Sequence, residues 1–432
     1  MSHARTRFRR GMAVAASLLA LATPAVTATP ASAAAPPVPA LPKPTGSSPV
    51  GVTSLHLKDT SRADPWVPSV KYRELMVSVW YPAKSPGRKR AQYMTPKESE
   101  LLLKDGKITT VPADILSRTR TNAFTDAEPA GRKRGLPLVV LSPGHGKPRS
   151  ELTGLAEELA SRGYVVAAID HTYESVATTF PDGRVTECVT CEIDKNPDWW
   201  VGLVKSRARD VSFVLDRLTG PRPAWQGSRL IDPSKIAMAG HSVGGAATIP
   251  TLLSDSRVRA GIDIDGTTDM AIPDSGLSRP FLFLGKPATY TPGQGAAAAT
   301  WERDWKHLTG WKRWLLLTGA EHLSFTDLGL LVDQLGIDAG ADIAGARAMT
   351  ITRSYVTAFL DQHLRKKHRP QLDKPSPPLP RNQALRPREQ DLQVGARRRA
   401  FPRSSRGLEH FRAPPLASLA CNRSTTWTFS GC

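Results

Sequence analysis

Short apolar runs alternate with stretches of helical period along the middle of the chain. The runs fall at Leu136–Leu141, Tyr164–Ile169, Ile236–Ala239, Ala260–Ile264, Phe281–Leu284 and Trp314–Leu317, after two segments, 51–57 and 73–81, that read as a β-hairpin. Runs this short and continuous suit strands buried on both faces of a sheet. Between them lie helical patterns at 151–161, 246–254, 296–308 and 345–364. The clearest covers 199–218, where Val204, Ala208, Val211, Leu215 and Leu218 form one apolar stripe. Strand and helix in alternation predict a mainly parallel sheet with helices on both faces, in one domain over 51–370. Ligands of such sheets bind beyond the carboxyl ends of the strands.

The ends of the chain break this pattern. Four arginines, an apolar run from Met12 to Ala22 and the small residues Ala31-Ser32-Ala33 give residues 1–33 the form of a secretory signal peptide. Export by the Sec route is expected, with Arg9-Arg10 leaving the twin-arginine route open. Residues 34–50 read as a stiff Pro-rich linker, and 371–432 as a Pro- and Arg-rich tail with too little apolar surface to order itself. The tail could hold acidic surfaces. No segment after the signal peptide reaches the roughly 18 apolar residues that cross a bilayer. The formal charge of +19 belongs to these ends: residues 1–33 hold four arginines and no acid, and 365–432 hold 15 Lys and Arg against four Asp and Glu, leaving +4 for 34–364. A nucleic-acid partner is therefore not expected. In an exported chain the two local cysteine pairs, Cys188/Cys191 and Cys421/Cys432, are expected as disulfides.

The candidate chemistry lies in Gly240-His241-Ser242-Val243-Gly244, which matches G-x-S-x-G with a strand before it and a helix after it. In that context Ser242 is a nucleophile, and it needs a base and an acid that orients the base. Two histidines lie between Ser242 and the helical pattern at 345–364. His307 falls inside a helical pattern, whereas His322 follows the last strand, where a loop can reach back to the serine. His322 is the expected base. The strand at Phe281–Leu284 runs into Gly285-Lys286-Pro287 with no acid, but the strand before it ends in Asp263-Ile264-Asp265-Gly266. Asp265 is expected to orient His322, with Asp263 a buried, hydrogen-bonded carboxylate and Asp269 and Asp274 in the loop beyond. For the oxyanion of the tetrahedral intermediate, backbone N–H donors are expected from Val243 and, in the loop Ser142-Pro143-Gly144-His145-Gly146, from His145. The rings of His145, His171 and His241 need no catalytic role in this reading. No cofactor and no metal is required.

From about residue 70 to 365 the chain resembles the platelet-activating factor acetylhydrolase family, the secreted, calcium-independent phospholipase A2 type, and its bacterial relatives. The resemblance rests on LPLVVLSPGHG, SRGYVVAAIDH, GHSVGGAA, the 23-residue step from Ser242 to Asp265 in GIDIDG, and His322 in GAEHLSFTD. It implies an α/β-hydrolase fold and hydrolysis of short or oxidised acyl groups from phospholipid-like esters by Ser242, Asp265 and His322, with contact to a lipid surface as a further expectation. Pro143 stands where relatives commonly have histidine. A secreted lipase or cutinase-like polyester hydrolase is the alternative, but its acid would be expected after Phe281–Leu284. A binding protein on the same fold would be expected to lack a member of the triad.

Overall fold

The computed structural model describes residues 37–193 and 195–373, together with the backbone of 392–394. The expected signal peptide, most of the tail and Cys421/Cys432 lie outside the described residues. The hairpin is present as β1 (Val50–Asp59) and β2 (Arg73–Pro82), paired antiparallel. The six apolar runs form β3 (Leu136–Ser142), β4 (Val165–His171), β5 (Ile231–His241), β6 (Val258–Ile264), β7 (Phe281–Gly285) and β8 (Lys312–Leu317). They pair in parallel with one another, and β2 joins β4 antiparallel. The order across the sheet is β1-β2-β4-β3-β5-β6-β7-β8. This is the α/β-hydrolase arrangement. Phe124–Thr125 extends the β1 edge and Leu392–Val394 pairs antiparallel with β8, making ten strands in this sheet. A strand within the tail was not expected, because three residues carry no readable period.

Alternate residues of each strand feed the cores on the two faces. Val139 and Leu141 of β3 pack with Leu155, Leu159, Tyr355 and Phe359 on one side, from α2 (Thr153–Ser161) and a long helix at Gly345–Arg365. Leu138 and Val140 pack on the other with Leu203, Val211 and Leu215 of α3 (Pro197–Thr219). Burial on both faces is why these strands are continuously apolar. Three helices escaped the sequence reading, α1 (Pro96–Asp105), the short Pro287–Tyr290 and Asp327–Gln334. The first opens on a capping box: Thr95 Oγ1 accepts from the Glu98 N–H, and the Glu98 carboxylate accepts from the Thr95 N–H.

Residues 37–49, expected as a linker, lie against the domain. Leu41 is buried, the Thr45 N–H donates to Glu158 at 2.8 Å, and the Ala40 N–H donates to Gln334 at 2.8 Å. The segment is anchored by side chains distant in sequence, so its own composition did not announce the contact. Among the described residues, no helix is long and apolar enough to cross a membrane.

Candidate active site

Strand β5 ends at His241, and Ser242 turns the chain sharply with φ 55° and ψ −128°, a conformation that a non-glycine residue adopts only under constraint. A short helix, Val243–Ala246, begins at the next residue. The turn is closed by the Ser242 N–H donating to the Ile264 carbonyl of β6 at 2.8 Å. Both flanking glycines are sterically required. A Cβ on Gly240 would lie 2.1 Å from the backbone of Gly244, and one on Gly244 would lie 2.1 Å from the Ser142 carbonyl oxygen.

Asp265 follows β6 directly, also at positive φ (56°). Its side chain is buried; Oδ1 accepts from the Lys286 N–H at 2.8 Å and Oδ2 lies 2.6 Å from His322 Nδ1. A carboxylate only accepts, so Nδ1 carries the proton and His322 Nε2 is left as the basic nitrogen. His322 opens a short 3₁₀ turn after β8, its side chain partly open to solvent. The sequence-predicted acid and base are thus in contact. Asp263 is fully buried, with Oδ1 accepting from the Gly266 N–H at 3.0 Å; burial pushes its carboxyl well above the ordinary range. Asp274 is exposed, and His307 is its neighbour at 3.9 Å.

The loop after β3 presents three successive N–H groups, and their partners differ. That of Gly144 donates to Glu151 Oε1 at 2.7 Å and that of Gly146 to the Glu174 carbonyl at 2.8 Å. Those of His145 and Val243 meet no acceptor among the described residues. The place a Cβ on Gly144 would take is 3.5 Å from Ser242 Cβ, so this loop borders Ser242. The His145 ring points elsewhere: Nε2 lies 3.0 Å from Thr190 Oγ1, and the ring meets Trp199 and Trp200 edge-on at 5.7 and 5.6 Å. Burial, and next Arg207, pull its pKa down to about 4. Trp66 adjoins Trp199 at 5.7 Å, so half-buried tryptophans flank the loop after β3.

Behind the loop lies a buried charge cluster that sequence reasoning missed. Arg207 of α3 donates to Glu174 (2.7 Å), to the Ser142 hydroxyl (3.2 Å) and to the Pro143 carbonyl. Arg73 bonds Asp64 and Asp210 at 2.8 Å each and Glu174 at 3.2 Å. The available signal was that Arg207 and Asp210 interrupt the apolar stripe of α3. Two groups have metal-ligand proximity among the described residues, His145 with Cys188 and Cys191, and His171 with Glu174 and Asp210. The two cysteines are joined in a disulfide, as expected, and the two carboxylates are held by arginines.

The family model described as platelet-activating factor acetylhydrolase, isoform II, matches residues 37–215 and 226–376. A probable 1-alkyl-2-acetylglycerophosphocholine esterase of Arthroderma benhamiae is 26% identical over 355 residues, covering 74% of this chain and 87% of that protein. Cutinase est1 of Thermobifida alba is 29% identical over 126 residues, 29% of this chain and 33% of that one. Among solved structures, a ferulic acid esterase from Streptomyces cinnamoneus is 41% identical with a TM-score of 0.69, over 79% of this chain and 97% of that one. Fold, family model and relatives agree: the chain is a carboxylic ester hydrolase and belongs to the platelet-activating factor acetylhydrolase, isoform II, family.

Proposed function

We propose that this protein is an exported serine esterase that cleaves short-chain or oxidised acyl esters through an acyl-enzyme. Ser242 attacks the ester carbonyl, and His322 Nε2 takes its proton and returns it to the leaving alcohol. Asp265 holds the imidazole, and the N–H groups of His145 and Val243 receive the oxyanion. Water then repeats the sequence on the acyl-enzyme. The observation that carries this reading is the 2.6 Å contact between His322 Nδ1 and Asp265 at the end of β6. It also weighs against the cutinase-like alternative, which would place the acid after β7, where Lys286-Pro287 stands.

A second reading concerns the acyl group. Hydrolysis of hydroxycinnamoyl esters is favoured by the 41% identity to a ferulic acid esterase and by the tryptophans beside the oxyanion loop, which offer flat apolar walls to an aromatic acid. The test is kcat/KM of the exported chain on p-nitrophenyl esters of increasing chain length and on methyl ferulate, with Ser242→Ala alongside. Loss of a triad member is expected to lower turnover on the order of 10⁴-fold or more. A Ser242→Ala enzyme with a tenth of the wild-type rate contradicts the mechanism. A preference for acetyl or butyryl over feruloyl esters decides for the first reading, and the reverse for the second.

A further inference from the structure

His241, beside the nucleophile, is enclosed by two partners that can only accept. Its Nδ1 lies 3.3 Å from Glu151 Oε1, and its Nε2 lies 2.9 Å from the backbone carbonyl oxygen of His322. A carbonyl never donates, and the same Glu151 oxygen already receives the Gly144 N–H at 2.7 Å. A neutral imidazole has one N–H and can satisfy one of these acceptors, whereas an imidazolium satisfies both. Both side chains are buried, so water cannot make up a missing bond.

The three bonds link three separate segments. Glu151 sits in the turn before α2 and grips the oxyanion loop at Gly144. His241 ends β5 and is joined by a peptide bond to Ser242. The carbonyl it meets belongs to His322, whose ring lies tilted against that of His241 with centroids 4.4 Å apart.

We propose that His241 is a standing imidazolium ion-paired with Glu151, and that this pair is a positioning element holding the oxyanion loop, the nucleophile and the loop of the base in one register. The proposal rests on the reading of Ser242, Asp265 and His322 as the triad. The charged surroundings agree with it. Burial opposes charge on His241, but Glu151, then Asp265 and the His322 carbonyl, outweigh it and raise its pKa. Burial likewise opposes charge on Glu151, and His241, the Gly144 N–H and Lys147 outweigh it. Asp327 and Tyr93 are the other titratable groups on the Glu151 side, and His322 is the one whose ring adjoins that of His241.

The test is long-range ¹H–¹⁵N spectroscopy of the full chain labelled at histidine, with the His241 signals assigned by their loss in His241→Gln. Both ring nitrogens of His241 are expected to stay protonated well above pH 6.5, where an ordinary histidine is neutral. Glu151→Gln, which keeps the shape and removes the charge, is expected to turn the ring neutral and lower kcat on the order of 10²-fold with KM little changed. A wild-type His241 that titrates like a free histidine overturns the proposal, as does Glu151→Gln with wild-type kcat. The wild-type spectrum decides even if the variant does not fold. Since the protonation state is read without turnover, failure of the triad reading, seen as an active Ser242→Ala, is distinguishable from failure of this one.

Discussion

Two buried histidines near the loop after β3 are each paired with a buried carboxylate, and they behave oppositely. His171 Nδ1 lies 2.7 Å from Asp210, while its Nε2 lies 2.9 Å from the Ser142 hydroxyl, a group able to donate. A neutral ring therefore satisfies both contacts, and burial, with Arg207 next, lowers its pKa. His241 has a carbonyl in place of that hydroxyl, and its pKa is raised. One partner atom separates a neutral histidine from a charged one. The surroundings follow the same division. On the His171 side arginines carry the positive charge and cannot release it, so that side is scaffold. On the His241 side the charge sits on an imidazole against the base, where the register of the reacting groups is set.

The largest way to break this comparison is to remove a fixed charge from the scaffold side. Arg207→Met leaves Glu174 without one of its buried cations and the Pro143 carbonyl without its donor. It is expected to cost about 3–5 kcal/mol in urea unfolding. A loss below about 1 kcal/mol, the range of an exposed pair, would mean that the cluster is not the support of this loop.

Acid sharpens the contrast. His171, His145 and His363 all have folded-state pKa values below the unfolded one, the last two near 4. The unfolded chain then binds more protons as pH falls from about 6.5 towards 4, so stability is lost over that window. His241 has the opposite sign: its raised pKa gives stability that is present at low pH and lost as pH rises through the folded value. Tm measured from pH 7 down to 4.5 is expected to fall less steeply in His171→Gln than in wild type, and not in His241→Gln. Equal slopes in the two variants would remove the distinction.

The smallest effect is expected at Asp263. Burial pushes its carboxyl well up and so favours the neutral form, and an amide keeps the acceptor for the Gly266 N–H. Asp263→Asn is expected to change stability by less than about 1 kcal/mol at pH 7. As pH rises, the wild type is expected to lose stability relative to the variant, since its folded-state pKa lies above the unfolded one.

Much of this was legible in the sequence, for physical reasons that also explain what was not. The six parallel strands could be read because each is buried on both faces and therefore apolar without interruption. Ser242 could be read because its turn leaves no room for a side chain at Gly240 or Gly244. Asp265 and His322 stand at strand ends, where parallel sheets expose their chemistry. Arg73, Glu151, Glu174 and His241 gave no comparable signal, since a buried charge is recognisable only with its partner, and the pairs Arg73–Asp210, Arg207–Glu174 and His241–Glu151 are 33 to 137 residues apart. The docking of residues 37–49 and the strand Leu392–Val394 escaped for the same reason, being defined by the surfaces they meet.

The central claim is that the acid of the triad comes from the end of β6, and turnover of Asp265→Asn beside Asp274→Asn tests it most directly. With both variants folded by their thermal transitions, Asp265→Asn is expected to lose about 10³- to 10⁴-fold in kcat, because an amide no longer fixes the tautomer of His322. Asp274→Asn is expected to keep the wild-type rate. A crippled Asp274→Asn beside an active Asp265→Asn would contradict the account.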